Sequence, residues 1–117
     1  LPPFAGMQGR SLWPLLTGAV PPTRHRADIY CEHYGTIHRQ PGKGSAYATM
    51  LRTERHKLVV MHGTNTGELY DLQRDPSETN NLWHNPSYRQ VQFELLLRMS
   101  DRMAWTVDPL PPRAANY

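Results

Sequence analysis

The sequence contains a single cysteine, Cys31, among 117 residues, so the chain cannot close an internal disulfide and its redox compartment is left open. No stretch approaches the ~18 consecutive apolar residues of a membrane-spanning helix. The first residues lack the charged-then-apolar pattern of a leader; Leu1-Pro2-Pro3-Phe4 instead reads as the interior of a longer protein. There is no internal repeat. Acidic residues are scarce between positions 24 and 57, where Arg24, Arg26, Arg39, Lys43, Arg52, Arg55 and Lys57 meet only Asp28, Glu32 and Glu54. Secreted, periplasmic and cytoplasmic locations all remain open.

What is present fits one modest domain. A chain of this length buries somewhat under ~70% of its unfolded surface. With 38% hydrophobic and 20% charged residues, its composition is not that of a disordered chain. The prolines gather towards the ends (Pro2, Pro3, Pro21, Pro22, Pro109, Pro111, Pro112) and leave an ordinary middle. The net charge of +3 and the basic cluster favour anionic partners: nucleic acid, acidic lipid, or sulfated and phosphorylated substrates. A plain solvated sheet face is the competing reading.

The clearest local signal runs from Lys57 to Leu82. An apolar run at Leu58-Val59-Val60-Met61 turns through Gly63-Thr64-Asn65-Thr66-Gly67 and returns as Glu68-Leu69-Tyr70-Asp71-Leu72, the pattern of a β-hairpin. Asp75-Pro76-Ser77-Glu78-Thr79-Asn80-Asn81 follows as a polar connector whose side chains can bond nearby backbone. Upstream, 46–52 alternates with Tyr47, Thr49 and Leu51 on one face, and 27–33 reads as a further strand with Ala27, Ile29 and Cys31 opposite Tyr30. In that strand Cys31 is expected to be a buried, inert thiol. Residues 34–45 form a loop by their glycines and Pro41.

Asn85-Pro86 reads as a helix start. Tyr88, Val91, Leu95, Met99 and Met103, with Leu96 beside them, repeat at helical spacing to about Asp108-Pro109; Glu94 and Arg98 are expected to pair on the other side. A sheet this small needs a cover, and the helix supplies it. The expected fold class is α+β: a small antiparallel sheet of about four strands packed against one long C-terminal helix, with an extended N-terminal arm. The expected division is 1–26 as linker or arm, 27–108 as the α+β unit, and 109–117 as an irregular tail. Pro14 limits any helix in the arm, whose Leu12-Trp13-Pro14-Leu15-Leu16 cluster is suited to lie on another surface.

Two patterns carry a family resemblance. Lys57-Leu58-Val59, Gly67-Glu68-Leu69-Tyr70-Asp71-Leu72, Asp75-Pro76, Glu78 and Asn81-Leu82 resemble the carboxyl-terminal end of type I, formylglycine-dependent sulfatases of the alkaline phosphatase superfamily. Gly9-Arg10-Ser11-Leu12 followed by Pro14-Leu15-Leu16 resembles the segment that leaves the catalytic domain in the same family, and the two lie in the family's order. The resemblance implies a supporting subdomain with a sulfuric ester hydrolase as its parent. It also implies that the parent uses a calcium ion and a formylglycine residue. Neither can be assigned within this chain. Cys31 is followed by Glu32-His33-Tyr34 and Ser11 by Leu12-Trp13-Pro14, so neither begins a Cys/Ser-x-Pro-x-Arg motif; Asp28, Asp71, Asp75, Asp101 and Asp108 are isolated, and Met61-His62-Gly63 lacks an acid before His-Gly.

No catalytic residue and no metal ligand is therefore assigned, and the chain alone is expected to be inactive. Cys31, His33 and His38 make an incomplete zinc set, and Glu32 and Tyr34 point opposite His33 in a strand. The resemblance implies that such a subdomain can lend residues to the substrate-pocket rim, for which His33, Tyr34, His38, Arg39 and Lys43 are the candidates. The implied partners are the catalytic domain of the same enzyme and, in the parent, an anionic sulfate ester. The isolated piece is also expected to be able to form homo-oligomers through its arm and sheet face. Two other classes compete. One is a free-standing nucleic-acid-binding module with Tyr30, Tyr34 and Tyr47 as stacking platforms, against which Glu32, Glu54 and Glu68 speak. The other is a protein-interaction module using the proline-rich arm. The sulfatase subdomain is preferred; the particular sulfate ester is not legible.

Overall fold

A computed structural model describes residues 9–35 and 47–106. Strands β1 (Asp28–Tyr34), β2 (Tyr47–Thr53), β3 (His56–Met61) and β4 (Thr66–Asp71) form one antiparallel meander in chain order. The architecture expected from the sequence, four antiparallel strands with one long C-terminal helix, is the one observed. Helix α1 is a single turn (Trp13–Leu16) within the N-terminal arm. Pro14 sits in that first turn, where its missing N–H leaves no helical bond unmade, so it shortens the helix without forbidding it. Leu12, Trp13 and Leu16 remain largely exposed.

Period-two alternation builds the core. In register, Tyr30, Leu51, Leu58 and Leu69 form one row across the four strands. The three leucines are wholly inaccessible, and Leu82, Leu95 and Met99 close over them. The long helix α2 (Arg89–Trp105) lays Leu95 and Met99 on this face. It is entered through a 3-10 turn at Pro86–Tyr88, where the Asn85 side chain accepts a bond from the Ser87 amide at 3.0 Å. Truncating any of the three leucines to alanine removes ~2–5 kcal/mol, because transfer and cavity costs add.

Three expectations need correcting. In β1 the faces are reversed: Asp28 and Tyr30 face the helix, while Ile29 is 51% exposed and Cys31 is exposed, not buried. The physical reason is that Asp28 is held from above by α2. Arg98 donates to it at 2.5 Å, and Arg102 approaches at 2.6 Å as an ion pair out of hydrogen-bonding line. That fixes the parity of the strand and turns Ile29 and Cys31 outward. Arg98 is thus unavailable to Glu94, which instead accepts from Gln90 at 2.8 Å. Met103 and Leu96 are 39% and 37% exposed, so the buried stripe of α2 ends at Met99.

Beyond the hairpin, whose four-residue loop places Gly63 and Asn65 at φ 79° and 56°, the connector runs along the free edge of β4. Leu82 donates to the Leu69 carbonyl at 2.8 Å. The Asn81 carboxamide accepts from the Leu69 and Trp83 amides and donates to the Gly67 carbonyl, at 3.0–3.1 Å. One side chain thus substitutes for a neighbouring strand and satisfies an otherwise open edge. Asp75 accepts from Thr79 and the Asn80 amide, closing the loop before it. Trp83 then packs against Gly67, where an added methyl would collide with the indole and with the Val59 carbonyl.

Asp71 closes β4. It is 1% exposed and accepts from Arg55 at 3.3 and 2.9 Å, from the Gln73 amide at 3.3 Å and from the Tyr88 hydroxyl at 3.4 Å. The Arg55 hydrogen bonds hold its carboxyl down at about 2. Beside it, burial lowers the His56 imidazole below its ordinary 6.5, outweighing the attraction of Asp71 at 3.9 Å.

Two expectations follow from this packing. Gly67→Ala destabilises the fold by ~1–3 kcal/mol through overpacking; an unchanged midpoint in chemical denaturation would contradict it. Both shifted groups make the unfolded state the better proton acceptor, so stability falls with acid. The His56 contribution is lost as the pH drops below 6.5, and that of Asp71, about 2 kcal/mol, as the pH drops from 3.8 through 2. Asp71→Asn costs about 3 kcal/mol at neutral pH and flattens the lower limb of the pH–stability curve. A limb of undiminished slope in the variant would show that Asp71 is not its source.

Candidate functional site

Residues 36–46, in the segment expected to be a loop, lie outside the described residues, but the strand ends that flank them are described. Tyr34 and Tyr47 are register partners there. Their rings meet edge-to-face, centroids 5.5 Å apart at 72°, an arrangement that aligns ring edge with ring face. Beneath them Glu32 accepts two hydrogen bonds at 2.6 Å, from the hydroxyls of Tyr30 and Tyr34. These share a face because they sit two residues apart along β1.

On the neighbouring strands the same face continues as Thr49 and His62. The Thr49 hydroxyl shares a 2.8 Å hydrogen bond with His62 Nε2 and reaches the Met99 sulfur at 3.1 Å. The His62 amide donates to the Tyr47 carbonyl at 2.8 Å, so the hairpin loop and the loop root are held together.

The electrostatics follow from these contacts. Hydrogen bonds from Tyr30 and then Tyr34 hold the Glu32 carboxyl below its ordinary 4.5. The Tyr34 phenol rises above 10.0 because it donates to that carboxylate, and the Tyr30 phenol rises through burial first and the same bond second. Glu32 is thus an ionised acceptor and the tyrosines are neutral donors. Carboxylate and phenols are set as acceptor and donors, not as an acid–base couple.

Of the five rim candidates, Tyr34 stands in this cluster. His33 lies on the opposite face, in the row with Ala48 and Met61, and is not brought together with it. His38, Arg39 and Lys43 lie outside the described residues. Sequence reasoning does not assemble Glu32, Tyr47, Thr49 and His62 into a group. Only the period-two alternation of 30, 32 and 34 could point to them.

The residues present do not fit the calcium ion that the family resemblance implies for the parent. Among the described residues no group of three or more His, Cys, Asp or Glu side chains could hold a metal ion. The two buried aspartates, Asp28 and Asp71, are each taken up by arginine. Among the described residues no helix is long and apolar enough to cross a membrane.

A four-stranded meander under one long helix, with the connector pinned along its free edge by Asn81, is a subdomain of the sulfatase C-terminal type. Residues 2–104 match the family described as "N-sulphoglucosamine sulphohydrolase, C-terminal", and the chain belongs to that family. A protein of Haemophilus influenzae, itself uncharacterized, is 38% identical over 61 residues, 52% of this chain and 31% of that one.

Solved structures agree. A protein in complex with its substrate D-glucosamine-2-N,6-O-disulfate superposes with a TM-score of 0.69 at 25% identity, over 92% of this chain and 22% of that one. A 2-O GAG sulfatase and the phosphonate monoester hydrolase of Agrobacterium radiobacter each give 0.69 at 27% identity, over 86% of this chain and 21% of theirs. The chain thus spans about a fifth of the length of these structures and under a third of the Haemophilus protein.

Removing the charge at the cluster tests its wiring. Glu32→Gln returns the Tyr34 phenol towards the ordinary 10.0. Tyrosinate absorbance compared with a Tyr34→Phe control reads this directly, and an unmoved titration would mean that the Tyr34–Glu32 bond is absent in solution.

Proposed function

We propose that this chain is the carboxyl-terminal lobe of a sulfuric ester hydrolase, packed beside a catalytic domain that lies outside residues 1–117. The observation that carries the reading is the family match over 2–104, seated on a fold whose defining contacts involve the same residues that carry the sequence pattern: Gly67, Leu69, Asp71, Asp75, Asn81 and Leu82. On this reading the arm and the unit 27–108 remain the working division of the chain.

The parent's substrate is a sulfate borne on an amino sugar. Two relatives support this: the family described as an N-sulphoglucosamine sulphohydrolase and the protein solved with a disulfated glucosamine. The nucleophile and the calcium ion belong to the catalytic domain, since Cys31 and Ser11 do not fit the formylglycine motif and the two buried aspartates here are held by arginines. The chemistry is theirs; this chain contributes recognition. Its loop, with Arg39, Lys43 and His38, offers cationic donors to an oxyanion. His33 and Tyr34 stand at its root, and the phenols capping Glu32 keep that carboxylate from presenting a bare charge to the same anion.

The test is sulfate release by the full enzyme that contains this chain, from glucosamine 6-sulfate and N-sulfoglucosamine. His38→Ala with Arg39→Ala is expected to lower kcat/KM by about tenfold or more, the worth of one lost charge-assisted contact. An unchanged kcat/KM in the double variant removes the loop from the rim. Turnover of phosphonate monoesters with no sulfate release would place the parent with the phosphonate hydrolases instead.

A further inference from the structure

At the far end of β1 from the loop, the arm, the first residues of β1 and the last turn of α2 enclose a cleft of about 310 Å³, lined by Arg10, Arg26, Asp28, Tyr30, Arg102 and Trp105. Its size is at the lower end for ligand-binding cavities. Three guanidinium groups face one carboxylate, and that carboxylate is already engaged: Asp28 is buried and held by Arg98 and Arg102. Arg10 spends one N–H on the His25 carbonyl at 3.1 Å, which fixes its side chain and leaves further donors of its planar fork unspent. Among the described residues neither Arg10 nor Arg26 has an acidic partner within 4.0 Å. The cleft therefore carries surplus positive charge, with Arg10 tethered by His25 and Arg102 by Asp28, an arrangement suited to planar or tetrahedral oxyanions.

The aromatic lining narrows the ligand. Trp105, 79% exposed at the end of α2, and Tyr30, whose hydroxyl is committed to Glu32, both line the cleft. A flat apolar ring beside oriented guanidinium groups suits a ligand with an apolar C–H face and pendant anionic groups, as a sulfated or carboxylated sugar ring has. A nucleic-acid stacking site would favour a run of exposed rings along a basic groove. Here a single exposed indole lines a cleft beside the arginines. The cleft also lies at Asp28, the opposite end of a seven-residue strand from the loop root at Tyr34, roughly 20 Å away at ~3.3 Å per residue. One monosaccharide cannot touch both.

We infer that the Arg10–Arg26–Arg102–Trp105 cleft binds an anionic sugar unit of an oligosaccharide substrate, at a distance from the unit met by the loop. The inference rests on the sulfated-sugar reading of the parent and adds to it that the substrate is a chain and not a single sugar.

The experiment compares a sulfated glycosaminoglycan tetrasaccharide with glucosamine 6-sulfate as substrates of the full enzyme. Arg26→Gln and Arg10→Gln are expected to raise KM for the tetrasaccharide about tenfold with kcat retained, so that the preference for the longer substrate collapses. Arg89→Gln, at the other end of α2, leaves that preference intact. In parallel, quenching of tryptophan fluorescence in the 117-residue chain is titrated with the tetrasaccharide, using Trp105→Phe as control. An equal rise of KM on both substrates, or a lowered Tm with unchanged KM, overturns the inference, the latter because it marks the arginines as structural or as contacts to the rest of the enzyme. The two readings fail separately. If the chain binds the tetrasaccharide while the enzyme releases no sulfate, the cleft stands and the hydrolase reading falls. Sulfate release without any length preference does the reverse.

Discussion

Two buried aspartates determine how the helix of this subdomain lies on its sheet. Asp28 on β1 and Asp71 on β4 occupy the same row of the meander, at its two outer strands. Each faces the side covered by α2. Asp71 takes the Tyr88 hydroxyl at the helix entrance, and Asp28 takes Arg98 and Arg102 near its end. The apolar contacts of Leu95 and Met99 supply most of the adhesion, but they are non-directional and would tolerate other crossing angles. The carboxylates are not tolerant, because a buried charge without its partner is far more costly than a shifted leucine. Helix direction, strand parity in β1 and closure of the β2–β3 turn by Arg55 thus depend on two side chains.

The same economy explains why the carboxyl-terminal pattern is recognisable. Gly67 is required because Trp83 and the Val59 carbonyl occupy the space of a side chain. Leu69 ends the core row on β4, and Asp71 is the clamp. Asp75 closes the connector, Asn81 completes the sheet edge, and Leu82 returns to the core. Each one's position constrains the next, which ties this sequence pattern to the fold.

Much of the fold is legible in the amino-acid pattern itself. The hairpin, the fourth strand, the Asn85-Pro86 start and the Val91-Leu95-Met99 stripe all rest on local periodicity and turn chemistry, which neighbouring residues decide. What is not legible depends on contacts distant in sequence. Ile29 and Cys31 fit an inward face as well as an outward one, and only Arg98 and Arg102, seventy or more positions on, select between them. The expected Glu94–Arg98 pair fails for the same reason. Of the site, the loop's composition points to Tyr34, but its coupling to Glu32 and Tyr30 has no such signal. The arginine cleft draws on positions 10, 26 and 102, which no window along the chain places together.

The proposed function rests on what the lobe holds. The described residues present hydrogen-bond donors, guanidinium groups and an exposed indole, but no metal cluster, and both buried aspartates are consumed in packing. Guanidinium groups and an indole suit recognition of an anionic ligand, the role proposed for this lobe. The most direct measurement is sulfate release from an N- or O-sulfated glucosamine by the full enzyme and by residues 1–117 alone, at equal molar concentration. The account predicts turnover by the enzyme and none by the chain. Sulfate release by the chain alone would contradict it, since a nucleophile would then have to lie within these 117 residues.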